Sequence, residues 1–305
     1  MRILTGKKVI EENELIVSWQ MIQICNFDCF YCYGHRPGPI GVVLSVKEVI
    51  GCLKRTSKNC SITLVGGEVF LIPNFVNICE QLIDAGIKIS VETNLSLGSA
   101  ITEFADRINP FKTGCIYIST HILEREKRNT KDEYIKNVIL LKEKGFNVRV
   151  NYVLHPSLLS RFRGDYEFFE TKGIDLLPRP FVGFHKGLAY PDSYSRKERT
   201  LILNADPHAG RRAPLNGTKG MLCNAGKSFI RITEYGKVNR CVGDDTCIGD
   251  IHQGINLFDS PRPCPNKTCP CWGWAFLADS KEQSKLEKKF SKPTLKSQIK
   301  RFVNS

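Results

Sequence analysis

Three cysteines stand close together in the run Cys25-Asn-Phe-Asp-Cys29-Phe-Tyr-Cys32, a C-x3-C-x2-C spacing. Three thiolates on so short a loop can bind three irons of a [4Fe–4S] cube. Such clusters ordinarily take four cysteines, so the fourth iron is left open to a ligand from outside the chain. Zinc is the alternative. A structural zinc site, however, uses four close ligands in paired C-x2-C form, which this loop lacks. Ten further cysteines bring the total to thirteen in 305 residues. The odd number argues against a complete disulfide framework. The N-terminus lacks a signal-peptide apolar segment and no run of eighteen apolar residues occurs. The chain is therefore expected in the cytoplasm, where thiols stay reduced and clustered cysteines imply metal or redox chemistry.

The elements that must position this loop alternate along the first 183 residues. Strands are expected at Leu15–Ile22, Ser61–Val65, Ile87–Thr93, Ile116–Ser119, Asn147–Leu154 and Ile174–Val182. Between them lie Val46–Arg55, Pro73–Ala85, Ile101–Ile108, Lys131–Lys144 and Pro156–Lys172, with apolar residues near the 3.6 period and Gly86 and Gly145 where left-handed caps belong. Repeated β–α units imply a parallel sheet with helices outside, and six units make a partial (β/α)6 barrel of the α/β class. Residues 184–220 read as an irregular connector that touches substrate. Residues 221–276 form a small cysteine-rich module with a hairpin, Phe229–Thr233 and Lys237–Arg240, around Glu234-Tyr235-Gly236. Residues 277–305 are a basic tail. It supplies about half of the net charge of +13, with eight Lys or Arg from Lys281 onward against Glu282 and Glu287. Such a tail suits an anionic partner, or is a solvated helix with a frayed end.

The C-x3-C-x-aromatic-C loop after a first strand resembles the signature of the radical S-adenosylmethionine (radical SAM) family. The resemblance implies that SAM's methionine part chelates the open iron. Reductive cleavage then gives a 5′-deoxyadenosyl radical that abstracts hydrogen from a substrate, the cofactor carrying the hard step. Gly66-Gly67-Glu68 is similar to the family's GGE element: glycines let the backbone approach a ligand closely, and the Glu68 carboxylate can pair with SAM's ammonium. By the same resemblance Tyr31 lies beside adenine, while Asn94 and Ser119 contact ribose or the methionine carboxylate. Taken singly, Gly66–Glu68 is an ordinary turn and Asn94 and Ser119 are capping residues.

Cys223, Cys241, Cys247, Cys264, Cys269 and Cys271 resemble the auxiliary-cluster extension of such enzymes, called SPASM in its long form and twitch in its short one. Six cysteines are too few for two extra clusters, so the resemblance implies one auxiliary [4Fe–4S] cluster. Its expected ligands are Cys223, Cys241 and two of Cys264, Cys269 and Cys271. A zinc ribbon is the alternative. Cys247 stands apart and is a candidate hydrogen-atom donor, as in related epimerases. Cys52, Cys60, Cys79 and Cys115 read as buried small hydrophobes. His121 follows Ser119-Thr120 at a strand end, where it either reaches substrate or is a loop residue, the latter favoured; His185 and His208 receive no role.

Two substrate classes compete. One is a small carbohydrate-like or nucleotide-linked molecule, epimerised or dehydrogenated, with His185, Arg196, Arg199, Arg211 and Arg212 suiting a phosphorylated form. The other is a ribosomally made peptide, epimerised or cross-linked. About fourteen residues precede the first strand, too few for a peptide-recognition domain, which favours the small molecule. The expected reductant is a flavodoxin or ferredoxin; no membrane span and no nucleic-acid partner are expected. The non-enzymatic reading is an iron–sulfur electron-transfer or nucleic-acid-binding protein.

Overall fold

A computed structural model describes residues 13–32, 41, 43–205, 218–267 and 269. Cys271, His208, Arg211, Arg212 and the basic tail lie outside the described residues. The first strand, β1 (Glu14–Ile22), buries Leu15, Val17, Trp19 and Met21 while Ile16, Ser18 and Gln20 stay half-buried. That period-2 alternation gives one dry face and one polar face. The chain continues through α1 (Val46–Arg55), β2 (Asn59–Gly66), α2 (Phe75–Asp84), β3 (Lys88–Thr93), α3 (Gly98–Arg107) and β4 (Thr113–Ser119). It then forms α4 (Ile122–Arg128), α5 (Lys131–Glu143), β5 (Val148–Leu154), α6 (Phe162–Thr171) and β6 (Leu176–Pro180). Strands β1 to β6 pair in sequence order, all parallel, as a partial barrel.

The helices cover the dry face. α1 offers Val46, Val49, Cys52 and Leu53, and α5 offers Tyr134, Ile135, Val138 and Leu141, each a helical stripe. Both glycine caps hold, with φ of +82° at Gly86 and +88° at Gly145. Among the described residues no helix is long and apolar enough to cross a membrane.

Three expectations change. Pro156–Lys172 is not one helix: Pro156–Leu158 is a 3₁₀ turn capped by His155, and α6 starts only at Phe162. The stretch after residue 183 is not wholly irregular, since it holds a hairpin, β7 (Gly183–His185) and β8 (Leu188–Tyr190), and a helix, α7 (Arg196–Ala205). The cysteine-rich region does not stand apart either. Beyond β9 (Leu222–Cys223), its strand β10 (Phe229–Ile232) pairs parallel with β1, Ile16 beside Phe229 and Trp19 beside Ile232. Then β11 (Lys237–Cys241), β12 (Asp244–Asp250) and β13 (Gly254–Ile255) extend the same sheet to ten strands, while β14 (Arg262–Pro263) pairs with β9. An unpaired β1 would leave an open row of N–H and C=O groups, which β10 closes. Ile230 and Ile232 carry the dry face across the join.

Candidate active site

The cysteine loop leaves the C-terminal end of β1, the end of a parallel barrel where sites form. Cys25 and Cys29 are half-buried and Cys32 is exposed. The amide of Phe27 donates to Cys25 Sγ at 3.4 Å, and the Asn94 carboxamide reaches the same sulfur at 3.6 Å. Burial pushes the Cys29 thiol up to about 12, with Glu124, Cys25 and Cys32 adding to the rise. Among the described residues no three metal-binding side chains already close on a common point. The thiols nonetheless lie within one another's electrostatic reach, Cys25 accepts N–H donors and Cys32 is exposed. That donor set fits a cluster with an exchangeable fourth position.

The two glycines and the glutamate do work within the protein. A Cβ on Gly66 would stand 2.2 Å from the Ile22 carbonyl oxygen, and one on Gly67 1.9 Å from that of Ile24. Their missing side chains thus let β2 run tightly beneath the loop: Gly67 N bonds Ile22 O and Glu68 N bonds Ile24 O, each at 2.9 Å. Glu68 is wholly buried. Its carboxylate accepts from Phe70 N at 3.1 Å, Thr93 Oγ1 at 2.8 Å and Asn94 N at 2.6 Å. Burial raises its pKa, opposed by those donors and by Arg125. Asn94 in turn donates to Asn26 at 2.9 Å and accepts from Ser96 N at 3.0 Å. Within the protein, the Glu68 carboxylate and the Asn94 side chain are engaged with one another's surroundings at the end of β3. Both hold the cysteine loop to the end of β3.

Helix α4, which the sequence reading missed, grips the loop from the other side. Glu124 accepts from Asp28 N at 3.3 Å, and the Arg125 guanidinium lies 4.7 Å from the Phe27 ring centre while donating to Asn94 O. His121, a left-handed residue with φ of 45° just before α4, places Nδ1 3.0 Å from the Tyr31 hydroxyl. Burial lowers its pKa to about 4, so the ring is neutral near pH 7. His121 thus stands against Tyr31 of the cysteine loop. His155 and His185 extend this aromatic group: His155 stacks 5.9 Å from Tyr31 and meets His185 at 4.5 Å. A histidine two residues after the Ile-Ser strand end was the only trace of this arrangement in the sequence.

Below the loop, the half-buried positions of the strands line a polar lumen. Register sets Glu92 beside Tyr117 and Tyr117 beside Arg149. Ser119 lies level with Asn151 on the same face. Arg179, one strand further, donates from Nε to Asn151 Oδ1 at 2.6 Å. Burial raises the Glu92 carboxyl and Arg179 draws it back. Burial also lifts Tyr117 to about 12 and Cys115 to about 11, the latter against the pull of Arg149 and Tyr117. Cys115 is thus buried, as expected, but among polar groups. Cys52 and Cys79 do pack in the apolar core.

Cys223, Cys241, Cys264 and Cys269 are all buried. Burial pushes Cys223 up to about 11, with Cys269 and Cys264 adding to it, and Cys241 up to about 12, with Asp244, Cys269 and Cys223 adding. Cys223 and Cys241 pack against Phe229 and Ile16 at the opposite end of β1 from the loop, with Cys264 and Cys269 within electrostatic reach of Cys223. Arg240 ties this region together by donating to the carbonyls of Pro263 and Arg262, each at 3.1 Å. Four of the five expected ligands are thus buried among the described residues, and the fifth, Cys271, lies outside them. Cys247 is exposed on β12, opposite Asn239, with Sγ 3.3 Å from Gly249 O.

Residues 19–166 match the family model of the Radical SAM superfamily. A probable GTP 3′,8-cyclase of Metallosphaera sedula is 25% identical over 277 residues, covering 78% of this chain and 84% of that protein. Among solved structures, native anSMEcpe with bound AdoMet and a Kp18Cys peptide superposes with a TM-score of 0.60 at 18% identity, over 81% of each chain. Streptococcus suis SuiB bound to S-adenosylmethionine gives a TM-score of 0.54 at 16% identity, over 76% of this chain and 61% of that one. The two structural likenesses are likenesses of fold.

Proposed function

Since residues 19–166 are a radical SAM domain, we propose that the chain is an enzyme acting on a small carbohydrate-like or nucleotide-linked molecule held in the barrel lumen. The observation that carries this is an open-sided cysteine loop above a lumen lined by Glu92, Tyr117, Ser119, Arg149, Asn151 and Arg179. The similarity to a probable GTP 3′,8-cyclase supports a nucleotide-linked substrate. When bound, the [4Fe–4S] cluster at Cys25, Cys29 and Cys32 and its SAM supply reductive SAM cleavage and hydrogen abstraction. The chain's own part is positional. Glu68, Asn94 and α4 fix the loop from two sides, Tyr31 and His121 form a neutral aromatic wall, and the lumen orients the substrate.

A second [4Fe–4S] cluster fits Cys223, Cys241, Cys264 and Cys269, without requiring Cys247. Buried at the far end of β1, it would serve as an electron acceptor in a dehydrogenation. That favours net oxidation over an epimerisation that depends on exposed Cys247. A flavodoxin or ferredoxin would supply the priming electron. The peptide reading draws on the exposed Phe184 and Leu188 of the β7–β8 hairpin, apolar surface suited to an extended chain. The anaerobically reconstituted protein should form 5′-deoxyadenosine faster with nucleoside phosphates or nucleotide sugars than with SAM alone. Stimulation by short peptides only would transfer the assignment to peptide maturation.

A further inference from the structure

His155 stands just beyond β5, at the barrel end where the cysteine loop lies. Alternation along β5 puts Arg149, Asn151 and Val153 on the lumen face, and His155 follows in the same parity. Phe181, two residues after Arg179, meets its ring at 4.7 Å. The His155 ring is 2% exposed, and its hydrogen bonding is one-sided. Nδ1 accepts from Ser157 N at 3.2 Å and lies 2.8 Å from Ser157 Oγ. A backbone N–H can only donate, so Nδ1 carries no proton and in the neutral ring Nε2 does. Burial, with His185 adding to it, lowers the pKa to about 4, which leaves the ring neutral near pH 7. Among the described residues Nε2–H has no hydrogen-bond partner. A buried donor without an acceptor costs free energy unless something bound supplies one. Around it stand further rings: Phe30 at 4.7 Å, Tyr31 at 5.9 Å and His185 at 4.5 Å. Aromatic faces stack on any flat base, whereas a neutral N–H reads an acceptor on the base's edge.

We infer that His155 is a specificity-determining residue that donates Nε2–H to the base of a nucleotide-linked substrate, seated among the rings of Phe30, Phe181 and His185. This rests on the nucleotide-linked reading of the substrate and deepens it. SAM's adenine is the other flat base at hand. The substrate is favoured by position: His155, Phe181 and His185 belong to the β5, β6 and β7 side of the barrel. The residues that the family resemblance gives to SAM, Gly66 to Glu68, Asn94 and Ser119, end or follow β2, β3 and β4.

The test is calorimetric titration of the full reconstituted chain with SAM bound, using AMP, GMP, CMP, UMP and ribose 5-phosphate as probes. At least one nucleotide should bind more tightly than ribose 5-phosphate. His155→Phe keeps a ring and loses the donor; His155→Gln keeps an N–H donor and loses the ring. Both lose the Nδ1 acceptor for Ser157, so that cap cancels from the comparison. Affinity for the preferred nucleotide should fall about threefold to tenfold in His155→Phe, the worth of one uncharged hydrogen bond, and stay within about twofold in His155→Gln. SAM affinity, titrated separately, should be unchanged in both. Equal nucleotide binding in both variants, or loss in the Gln variant alone, would reduce His155 to a packing residue and overturn the inference. A matching fall in SAM affinity would give the donor to adenine and overturn it too. Should a variant not fold, the wild-type series still decides: equal affinity for the nucleotides and ribose 5-phosphate would refute base recognition while leaving a phosphorylated sugar as substrate. Binding of none of the five probes would remove the nucleotide-linked reading and the inference together.

Discussion

The two cysteine sets are built in opposite ways at opposite ends of β1. Cys25, Cys29 and Cys32 sit half-buried to exposed on irregular backbone, held from outside by Glu68, Asn94 and α4. Cys223, Cys241, Cys264 and Cys269 are 6–8% exposed; Cys223 lies on β9, Cys241 ends β11 and Cys264 follows β14. The first arrangement leaves a side open and spends fold on steadying a loop that must exchange its ligand. The second encloses its thiols and carries its own scaffold. The contrast between an open and an enclosed set of thiols parallels that between catalytic sites with an open position and closed structural sites.

The sharpest way to break this comparison is to remove each set in turn. Wild-type protein should bind close to eight irons. Replacing Cys25, Cys29 and Cys32 with Ala should leave about four and abolish 5′-deoxyadenosine formation, whereas Cys223→Ala with Cys241→Ala should also leave about four but retain SAM cleavage. Stoichiometric zinc with about four irons in the wild type would reduce the second set to a zinc ribbon.

Glu68→Gln tests whether the open set is steadied from within. The new amide would face the N–H of Asn94 or the donors of Thr93 and Phe70, leaving at least one buried donor unpaired. A loss of about 1–3 kcal/mol in denaturant unfolding is expected, with weaker SAM binding as a consequence. Unchanged stability with SAM affinity lost would indicate a direct contact between this carboxylate and the SAM ammonium.

Much of the open set was legible because its chemistry depends on spacing. Three cysteines within eight residues, and a Gly-Gly-Glu at the next strand end, are local patterns. Their purpose was less legible, since only coordinates show Gly67 pressed against the Ile24 carbonyl and Glu68 turned inward. Helix α4 escaped notice because Ile-Leu-Glu-Arg-Glu-Lys-Arg is too short and charged to show a period. The lumen residues escaped for another reason. Glu92, Tyr117, Arg149, Asn151 and Arg179 looked like the wet side of ordinary strands, and share one face only once the strands pair in register. The pairing of β10 with β1 could not be read at all, as no local signal specifies a partner so distant in sequence.

The smallest effect is expected at Cys247, exposed and outside the closed set. Cys247→Ser should keep its iron and change unfolding free energy by less than about 0.5 kcal/mol. Retained SAM cleavage with loss of an inverted, solvent-deuterated product would nevertheless make it a hydrogen donor; loss of about four irons would move it into the closed set.

The join between β10 and β1 also sets the order of events on the ribosome. Gln20 with Arg231, and Gln23 with Glu234, are bonded across 211 residues of chain. Until synthesis has passed β10, the nascent barrel carries one raw edge on the strand that leads into the cysteine loop. Such an edge is a template for pairing with other chains, and contacts of this span close late. A chain stalled or cleaved before residue 229 would expose its iron-binding strand to aggregation, even with every residue of the open site already made.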